Sequence, residues 1–371
     1  MTQAGSLPWP PPPPHRTTML SAFVTAPAPL LQGSPAPHSP GGQQRSAPPA
    51  ANHGGGTWPF WLALAPLAAS RRVQRRHRRA RVVVLAAEGI SCKTAFLFPG
   101  QGAQSVGMCK ELTEECPAAK ELFDQASGIL GYDLLERCID GPKDLLDTTA
   151  VSQPAIFVAS MAAVEKMKQD LGEAAVEEAT VAMGLSLGEY SALCFAGALD
   201  FEDGVRITKA RGEAMQAAAD AVDSVQIANF LCKGNYTVSG DKEACAKLVE
   251  IAKPEFKARM AMPLPVAGAF HTDFMAPAVD KLKEALAAAN FKSPRIPVVS
   301  NVDAEAHSDP DEIREILAKQ VTSPVMWEQQ MRAMVAGGFE KGYELGPGKV
   351  VSGILKRIDK GAASAMTNFT V

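Results

Sequence analysis

The stretch that decides the fold of this 371-residue chain is Ala179-Thr-Val-Ala-Met-Gly-Leu-Ser-Leu-Gly-Glu-Tyr-Ser-Ala-Leu193. An apolar run leads into a G-x-S-x-G motif centred on Ser186, and helix-forming residues follow. This order predicts a strand, a sharp turn that the two glycines permit, and a helix, with the serine hydroxyl exposed beside backbone N–H groups. Because a chain of this length matches the motif by chance roughly one time in ten, the remaining sequence has to supply a base, an oxyanion site and a substrate contact.

Strand and helix patterns alternate along the chain after residue 90. Short apolar runs bounded by glycine, proline or polar residues predict strands at 94–98, 225–230, 236–239, 259–266, 296–300 and 342–345. Helical periodicity predicts helices at 117–130, 152–170, 201–219, 241–252, 273–289, 310–319 and 327–337. Strands that alternate with helices of about ten residues or more predict an α/β fold with a mainly parallel sheet.

The first 87 residues differ in composition from the rest. They contain nine arginines but no aspartate, glutamate or lysine, and 15 of the 28 prolines lie within the first 66 residues. Such a segment is too poor in periodic apolar residues to offset the entropy of ordering it. We therefore predict that residues 1–90 form a disordered targeting leader, directed to the plastid stroma or, as the alternative, to the mitochondrial matrix. The apolar stretch 58–69 is too short for a membrane span, so no stable membrane anchor is expected.

The charge and cysteine patterns exclude several classes of function. Residues 88–371 carry 28 basic and 40 acidic side chains, a formal charge of −12, which argues against a nucleic-acid partner. The seven cysteines form no C-x-x-C pair and no Cys/His cluster, so neither a metal site nor a disulfide framework is expected. The length fits one large domain, or a large domain with a small insert, in a reducing compartment.

Only two histidines follow the leader, so the candidates for a general base are few. His271 lies between a predicted strand and a predicted helix, where a loop at the sheet edge can fix a side chain and leave it accessible. His307 lies in the polar stretch 303–310, which predicts a solvated turn. A single histidine is more often structural than catalytic, but the serine motif favours His271 as the base that activates Ser186.

Three further residues are candidates for a site around Ser186. Gln101 lies in a glycine-flanked loop directly after the first predicted strand, and Leu187 follows the serine. The backbone N–H groups of both could bind an oxyanion, although a tight turn alone also explains the glycines that flank Gln101. Arg211 lies on a predicted helix, where its guanidinium is either a surface group or a clamp for a substrate carboxylate.

Six motifs occur in a fixed order along the chain: Phe98-Pro-Gly-Gln-Gly-Ala-Gln104, Gly184-Leu-Ser-Leu-Gly-Glu-Tyr190, Arg211-Gly-Glu-Ala-Met-Gln216, Ala269-Phe-His-Thr-Asp-Phe-Met275, Ser300-Asn-Val-Asp303 and Tyr343-Glu-Leu-Gly-Pro-Gly-Lys349. Together they resemble the malonyl-CoA:acyl carrier protein transacylases of type II fatty acid synthesis, from Thr94 to the C-terminus. The resemblance implies an α/β-hydrolase-like large domain with a parallel sheet, formed by 91–216 and 268–371. It also implies a small ferredoxin-like insert at 217–267.

The resemblance also implies roles for the candidate residues. Ser186 would be the nucleophile and His271 the general base, oriented by a backbone carbonyl rather than by an acid. The N–H groups of Gln101 and Leu187 would bind the oxyanion, and Arg211 would bind the malonyl carboxylate. The substrate would be malonyl-CoA and the acceptor the phosphopantetheine thiol of acyl carrier protein, with no bound cofactor or metal. The chain is expected to be a monomer.

Two departures from the family pattern have structural consequences. Leu185 stands before the nucleophile, where bacterial relatives usually carry histidine, and we expect it to line the pocket. Only eight residues, 217–224, separate Gln216 from the strand at 225–230, where the family has a further strand and helix. Half of the insert is therefore expected to be missing, through a real deletion or a skipped exon. This predicts an unpaired strand edge and an uncovered apolar face.

Two other functions stay open at this point. A serine hydrolase or thioesterase could use the same sharp turn, but such enzymes favour an HGGG-type oxyanion loop, which the sequence lacks. A catalytically impaired variant or a non-catalytic scaffold is the second alternative, because the insert is short. Malonyl and methylmalonyl groups, and fatty acid and polyketide pathways, are likewise alternatives that the sequence leaves open.

Overall fold

The computed structural model describes residues 20–25, 90–218, 225–255, 257–264 and 268–371. Apart from 20–25 and residue 90, the predicted leader lies outside these ranges, and so does its apolar stretch 58–69. None of the helices within the ranges is long and apolar enough to cross a membrane.

Strands and helices alternate through most of the described chain. The strands are β1 (Leu20–Thr25), β2 (Thr94–Phe98), β3 (Val181–Gly184), β4 (Val225–Cys232), β5 (Asn235–Gly240), β6 (Met260–Leu264), β7 (Val298–Val299), β8 (Lys341–Leu345) and β9 (Met366–Phe369). The helices are α1 (Lys110–Glu115), α2 (Pro117–Leu130), α3 (Leu134–Ile139), α4 (Lys143–Leu146), α5 (Thr149–Leu171), α6 (Glu173–Glu177), α7 (Gly188–Phe195), α8 (Phe201–Ala217), α9 (Lys242–Ala252), α10 (Ala276–Ala288), α11 (Pro310–Gln320), α12 (Trp327–Ala336), α13 (Val350–Ile358) and α14 (Lys360–Ser364). A 3₁₀ turn, Asp273–Met275, precedes α10.

Five strands form a parallel sheet in the order β7-β3-β2-β8-β9. β2 pairs with β3 on one side and with β8 on the other, and all of its residues are buried. Burial on both faces explains why this strand is continuously apolar in sequence rather than alternating. The predicted α/β fold with a parallel sheet is confirmed.

Helices cover both faces of the parallel sheet. Phe96 and Phe98 pack into one hydrophobic cluster with α2, α5, α7 and α8, whereas Ala95 and Leu97 pack into a second cluster with α12 and α13. The two clusters share β2 because successive strand residues point to opposite faces. The parallel strands end at one edge of the sheet, and the loops that follow β2 and β3 meet there. That edge is where the candidate site forms.

A second sheet is built mainly from the insert between α8 and α10. Its order is β4-β5-β1-β6, with antiparallel neighbours throughout. Helix α9 packs against β1, β5 and β6. Helices α12 and α13 pack against β4, yet Ile227 on this strand is 40% exposed.

Strand β1 corrects two of the expectations from the sequence. Leu20–Thr25 belongs to the segment predicted to be a disordered leader, yet it forms the strand between β5 and β6. The strand edge that was expected to stay unpaired is therefore paired. The physical reason is that the ladder N–H and C=O groups of a strand require partners. A leader segment rich in strand-forming residues supplies these partners.

Candidate active site

The candidate nucleophile lies on a strained turn between β3 and α7. Ser186 has a φ of 53°, in the left-handed region that a residue with a side chain rarely adopts. Gly184 has to be a glycine, because a Cβ there would lie 1.9 Å from the backbone of Gly188. The turn is closed by the N–H of Gly188, which donates to the carbonyl of Leu185 over 2.9 Å. This close packing holds the serine at the end of the strand and at the start of the helix.

Asn301 ties this turn to the neighbouring strand β7. Its Oδ1 accepts from the backbone N–H of Ser186 over 2.6 Å, and its Nδ2 donates to the carbonyl of Gly184 over 2.7 Å. Its own backbone N–H donates to Glu189 Oε2 over 3.0 Å. The bonds to Gly184 and Glu189 are buried and the bond to Ser186 is partly buried, so they satisfy polar groups that would otherwise be costly to bury.

The predicted base contacts the predicted nucleophile. His271 Nε2 lies 2.7 Å from Ser186 Oγ, and His271 Nδ1 lies 2.9 Å from the carbonyl oxygen of Gln320. A carbonyl can only accept, so Nδ1 carries the proton and Nε2 is left to accept from the serine hydroxyl. The backbone N–H of His271 donates to the carbonyl of Val321 over 3.0 Å, which anchors the loop.

Burial keeps the histidine neutral. Burial first, and then the nearby charge of Arg211, lower the pKa of His271 from 6.5 to about 4, against the opposing effect of the backbone hydrogen bonds to Gln320 and Ser323. A neutral imidazole at neutral pH can take the serine proton at once. The histidine is 3% exposed, so this environment extends over almost the whole ring.

Arg211 is buried beside the nucleophile without a carboxylate partner. Its Nη2 lies 3.3 Å from Ser186 Oγ and also donates to Gln320 Oε1, while Nη1 donates to Gln153 Oε1 over 2.8 Å. The residue is 1% exposed and forms no ion pair within the described ranges, and its Nε–H has no acceptor there. Burial lowers its pKa, which still leaves the guanidinium charged. The described partners of this buried cation are neutral: two amides, the serine hydroxyl and the ring of Tyr190, 5.3 Å away. Such a cation is a site for an anion.

Gln320 joins the serine, the histidine and the arginine through one residue. Its side-chain Nε2 donates to the carbonyl of Ser186 over 3.0 Å and to Glu189 Oε2 over 2.7 Å, and its Oε1 accepts from Arg211. Its backbone carbonyl accepts from His271. Burial raises the pKa of Glu189 to about 7, and the donors from Gln320 and Asn301 oppose that rise.

Two backbone N–H groups next to the serine have no acceptor in the described part of the chain. They belong to Gln101, in the loop after β2, and to Leu187, at the start of α7. The side chain of Gln101 is held by a bond from Nε2 to Thr149 Oγ1 over 3.3 Å. Gly100 brings this loop against the turn so closely that a Cβ would lie 2.2 Å from the carbonyl oxygen of Leu185.

A cavity of about 260 Å³ opens over these groups. From the large domain its walls include the five predicted residues with side chains or loops at the site: Gln101, Leu185, Ser186, Arg211 and His271. From the small sheet they include Ala228, Asn229 and Leu231 of β4, Thr237 and Ser239 of β5, and Leu264 of β6. Leu185 lines the pocket, as the sequence predicted. The two domains therefore share the cavity, with the reactive groups on one side and the small sheet as its cover.

The family follows from a comparison with known proteins. A model of the acyl transferase domain matches residues 95–366. The chain belongs to the acyl transferase domain family. A curated mouse relative, "Malonyl-CoA-acyl carrier protein transacylase, mitochondrial", is 38% identical over 315 residues, covering 75% of this chain and 82% of its own.

Solved structures of this acyl transferase family have the same fold. An acyl-carrier-protein-S-malonyltransferase from Bartonella henselae superimposes with a TM-score of 0.70 at 35% identity, covering 75% of this chain and 96% of its own. A type II PKS acyl-carrier protein in complex with its malonyl-transacylase matches with a TM-score of 0.68 at 32% identity, covering 75% and 96%. The chain is therefore an acyltransferase with the α/β fold of these enzymes.

The other histidine within the described ranges belongs to a different cluster. His307 was predicted to lie in a solvated turn, but its side chain is only 12% exposed and lies between Asp303, 3.1 Å away, and Glu312, 3.2 Å away. The bond to Asp303 and the charges of both carboxylates raise the pKa of His307 to about 9. It is a charged structural group. In the described ranges no group of three or more metal-ligating side chains comes together.

Proposed function

We propose that this acyltransferase moves a malonyl group from malonyl-CoA to the phosphopantetheine thiol of acyl carrier protein, in fatty acid biosynthesis. One observation supports the proposal most directly: the guanidinium of Arg211, which has no carboxylate partner in the described ranges, lies 3.3 Å from Ser186 Oγ and lines the same cavity. An acyl group with its own carboxylate is the anion that this arrangement accommodates. The names of the mouse relative and of the carrier-protein complex support the same donor and acceptor.

The first half of the reaction forms an ester on the serine. Ser186 Oγ attacks the thioester carbonyl of malonyl-CoA while His271 Nε2 takes the hydroxyl proton. The developing oxyanion is bound by the N–H groups of Gln101 and Leu187. When the tetrahedral intermediate collapses, the C–S bond breaks and the CoA sulfur leaves with the proton from His271. The malonyl group then remains on the serine, with its carboxylate on Arg211.

The second half repeats these steps with a different thiol. The phosphopantetheine thiol of acyl carrier protein gives its proton to His271, and its sulfur attacks the serine ester. The same two N–H groups bind the second oxyanion. The C–O bond to Ser186 then breaks, and the serine oxygen takes the proton back from His271. No cofactor or metal takes part, and the enzyme returns to its starting state.

Arg211 would select the acyl group by charge. A malonyl carboxylate lies two bonds from the reacting carbonyl, which matches the short distance between Arg211 and Ser186 Oγ. An acetyl group lacks that carboxylate and would leave the guanidinium with amide partners only. Selection therefore rests on a buried charge pair that only one of the two substrates completes.

The test is transfer of malonyl and of acetyl groups to holo acyl carrier protein by Arg211→Ala. Losing the charge partner should lower kcat/KM for malonyl transfer by about 10²-fold or more, with acetyl transfer unchanged or raised. Arg206→Ala is the matched control, because Arg206 lies on the same helix but is exposed and pairs with Glu202 and Asp203. Equal losses for malonyl and acetyl groups would refute the role of Arg211. Release of free malonate as fast as carrier-protein loading would instead indicate a hydrolase.

We infer that the enzyme works inside an organelle and that the arginine-rich residues 1–90 are its targeting sequence. The plastid stroma and the mitochondrial matrix are the two candidate compartments, and the word "mitochondrial" in the name of the mouse relative supports the matrix. A fluorescent fusion to residues 1–90, imaged beside plastid and mitochondrial markers, decides between them. Diffuse cytosolic fluorescence would contradict organelle targeting. Light scattering of the purified chain tests the predicted monomer.

A further inference from the structure

Strand β1 lies in the interior of the small sheet although it comes from the N-terminal leader. Leu20–Thr25 pairs with β5 along its whole length, from Leu20 opposite Gly240 to Thr25 opposite Asn235. On its other side it pairs with β6, from Ser21 opposite Leu264 to Thr25 opposite Met260. A strand with partners on both sides contributes two ladders of backbone hydrogen bonds to the sheet.

Strand β6 depends on β1 for its place in the sheet. Among the described strands it pairs with β1 and with no other. Without β1 the sheet would separate into the hairpin of β4 and β5 and a single strand, β6, with open edges on both parts. β6 is also the last described strand before the loop that carries His271. The pairing of β1 with β6 therefore helps to fix the point at which the loop with His271 begins.

The register places β1 in the sheet that covers the cavity. Ser21 lies directly opposite Ser239, and Phe23 directly opposite Thr237, the two residues of β5 that line the cavity. On the other side Ser21 lies opposite Leu264, which also lines it. Directly opposed residues of antiparallel strands share one face of a sheet. The backbone of β1 thus bridges the two parts of the cover.

The chain is long enough to reach this position. Sixty-four residues, 26–89, separate β1 from the start of the large domain. Such a segment spans up to about 200 Å when extended, far more than the width of the molecule requires. The entropic cost of closing a loop rises only with the logarithm of its length, so the long connection is no obstacle to pairing within one chain.

We propose that Leu20–Thr25 is a structural strand of the working enzyme, retained with the fold rather than discarded with the leader. It takes the position between β5 and β6 that the shortened insert leaves vacant, and it keeps β6 and the cavity cover in place. Proteolytic removal of the leader in targeting must then spare this strand, either by cutting before Leu20 or by leaving the cut strand bound. This role concerns the sheet and does not depend on which acyl group the enzyme transfers.

Hydrogen exchange of the full-length chain, read by mass spectrometry, tests the proposal directly. Peptides that span 20–25 should exchange far more slowly than an unprotected chain, at a rate similar to those of β5. In Ala22→Pro, which removes a ladder donor and restricts the strand backbone, exchange should rise in 20–25, in β5 and in β6 together. Ala47→Pro introduces the same residue elsewhere in the leader and should leave these rates unchanged.

Three results would overturn the proposal, and each is separable from a failure of the proposed function. The first is exchange of 20–25 in the wild type at the rate of an unprotected chain, whether or not the enzyme loads malonyl groups. The second is protection of β5 and β6 that Ala22→Pro does not alter. The third is protection that disappears on dilution together with a dimer, which would assign β1 to a second copy. If the proposal holds, Ala22→Pro also lowers Ser186 acylation by roughly tenfold, because small displacements of a catalytic loop are costly.

Discussion

The large domain and the small sheet contribute different things to the same cavity: the first holds the reactive groups, and the second covers them. Ser186 follows β3 of the parallel sheet, Arg211 lies on α8 and His271 lies in the loop before α10. Each of the three is held by hydrogen bonds from other elements. The small sheet draws one of its interior strands from the leader and leaves Ile227 exposed on β4. Its role is to cover the cavity, with β5 and β6 as part of the wall.

This difference indicates where the protein tolerates change. The reactive groups lie among buried amides that each have several partners, so loss of one group should affect chemistry strongly and locally. The small sheet that covers the cavity is held by fewer elements and depends on the pairing of β1, which is remote in sequence. Changes in this sheet should therefore affect closure of the cavity and stability of the fold. The following predictions separate the two kinds of effect.

The largest effect is expected from His271→Ala. It removes the group that takes the serine proton, so kcat/KM for malonyl transfer should fall by about 10²–10⁴-fold. The measurement is steady-state transfer to holo acyl carrier protein, with protein folding checked by circular dichroism.

His307→Ala is the control in which the same residue type is lost outside the cavity. It should keep malonyl transfer but lose stability, because His307 is charged and paired in the folded state. Its folded pKa, raised to about 9, means that this stability is full below 6.5 and is lost as the pH rises through about 9. Denaturant unfolding of both proteins across that range checks the sign. A large activity loss in His307→Ala would contradict the assignment of the base.

A smaller effect is expected from Asn301→Ala, which alters the support of the nucleophile and leaves the reactive groups intact. The change leaves the N–H of Ser186 and the carbonyl of Gly184 buried without partners, so the free energy of unfolding should fall by about 1–3 kcal/mol. Acylation of Ser186 should slow by roughly tenfold, because the serine is less well positioned. Asn290→Ala, at an exposed asparagine, is the matched control. An unchanged unfolding free energy would refute the support role.

The pH dependence of kcat/KM should lack an inflection near the usual histidine pKa. The free enzyme keeps His271 neutral down to about 4, so malonyl transfer should stay level between about pH 5 and 8. Removing the positive charge in Arg211→Met should raise the pKa of His271 and move the acid limb to higher pH, which acetyl transfer can report. Glu189, whose pKa burial raises to about 7, contacts Gln320 in the same site, so Glu189→Gln is the control. An inflection near 6.5 that persists in Glu189→Gln would contradict a His271 that stays neutral down to about 4.

The smallest effect is expected from Ile227→Thr on β4. Ile227 is 40% exposed and lies on the small sheet, and threonine keeps the strand preference of a β-branched residue. The free energy of unfolding should change by about 0.5 kcal/mol or less, and malonyl transfer should stay within about twofold of the wild type. Denaturant titration and the transfer assay measure both. A larger loss in either would show that this face of the small sheet is covered by another element.

The sequence was informative where one residue type is rare and carries chemistry. Ser186 stood out through its glycines, His271 through the scarcity of histidines, and Arg211 through its motif. Gln320, Asn301 and Gln153 were missed, although they hold these groups together. Amides are common and act here through backbone groups or partners more than fifty residues away, so no local pattern marks them. The Asn in Ser300-Asn-Val-Asp303 was within a recognised motif and was the available signal.

The fold could be predicted where an element has a clear local sequence pattern, and not where it depends on a distant partner. β2 and α2 have the predicted bounds because the apolar run of β2 and the helical period of α2 both end at clear breakers, Pro99-Gly100 and Gly131. The strand predicted at 296–300 shrinks to Val298–Val299, because only these two residues pair with β3. β1 was missed because a six-residue strand in a proline-rich leader has no local signal of a partner more than 200 residues away.

The most direct test of the central claim is intact-mass spectrometry of the full-length protein after incubation with malonyl-CoA and no acyl carrier protein, followed by peptide mapping. We expect one malonyl ester per chain, located on Ser186, that disappears when holo acyl carrier protein is added. Ser186→Ala should carry no adduct. A wild-type protein that carries no malonyl group, or one that carries it on another residue, would contradict Ser186 as the nucleophile.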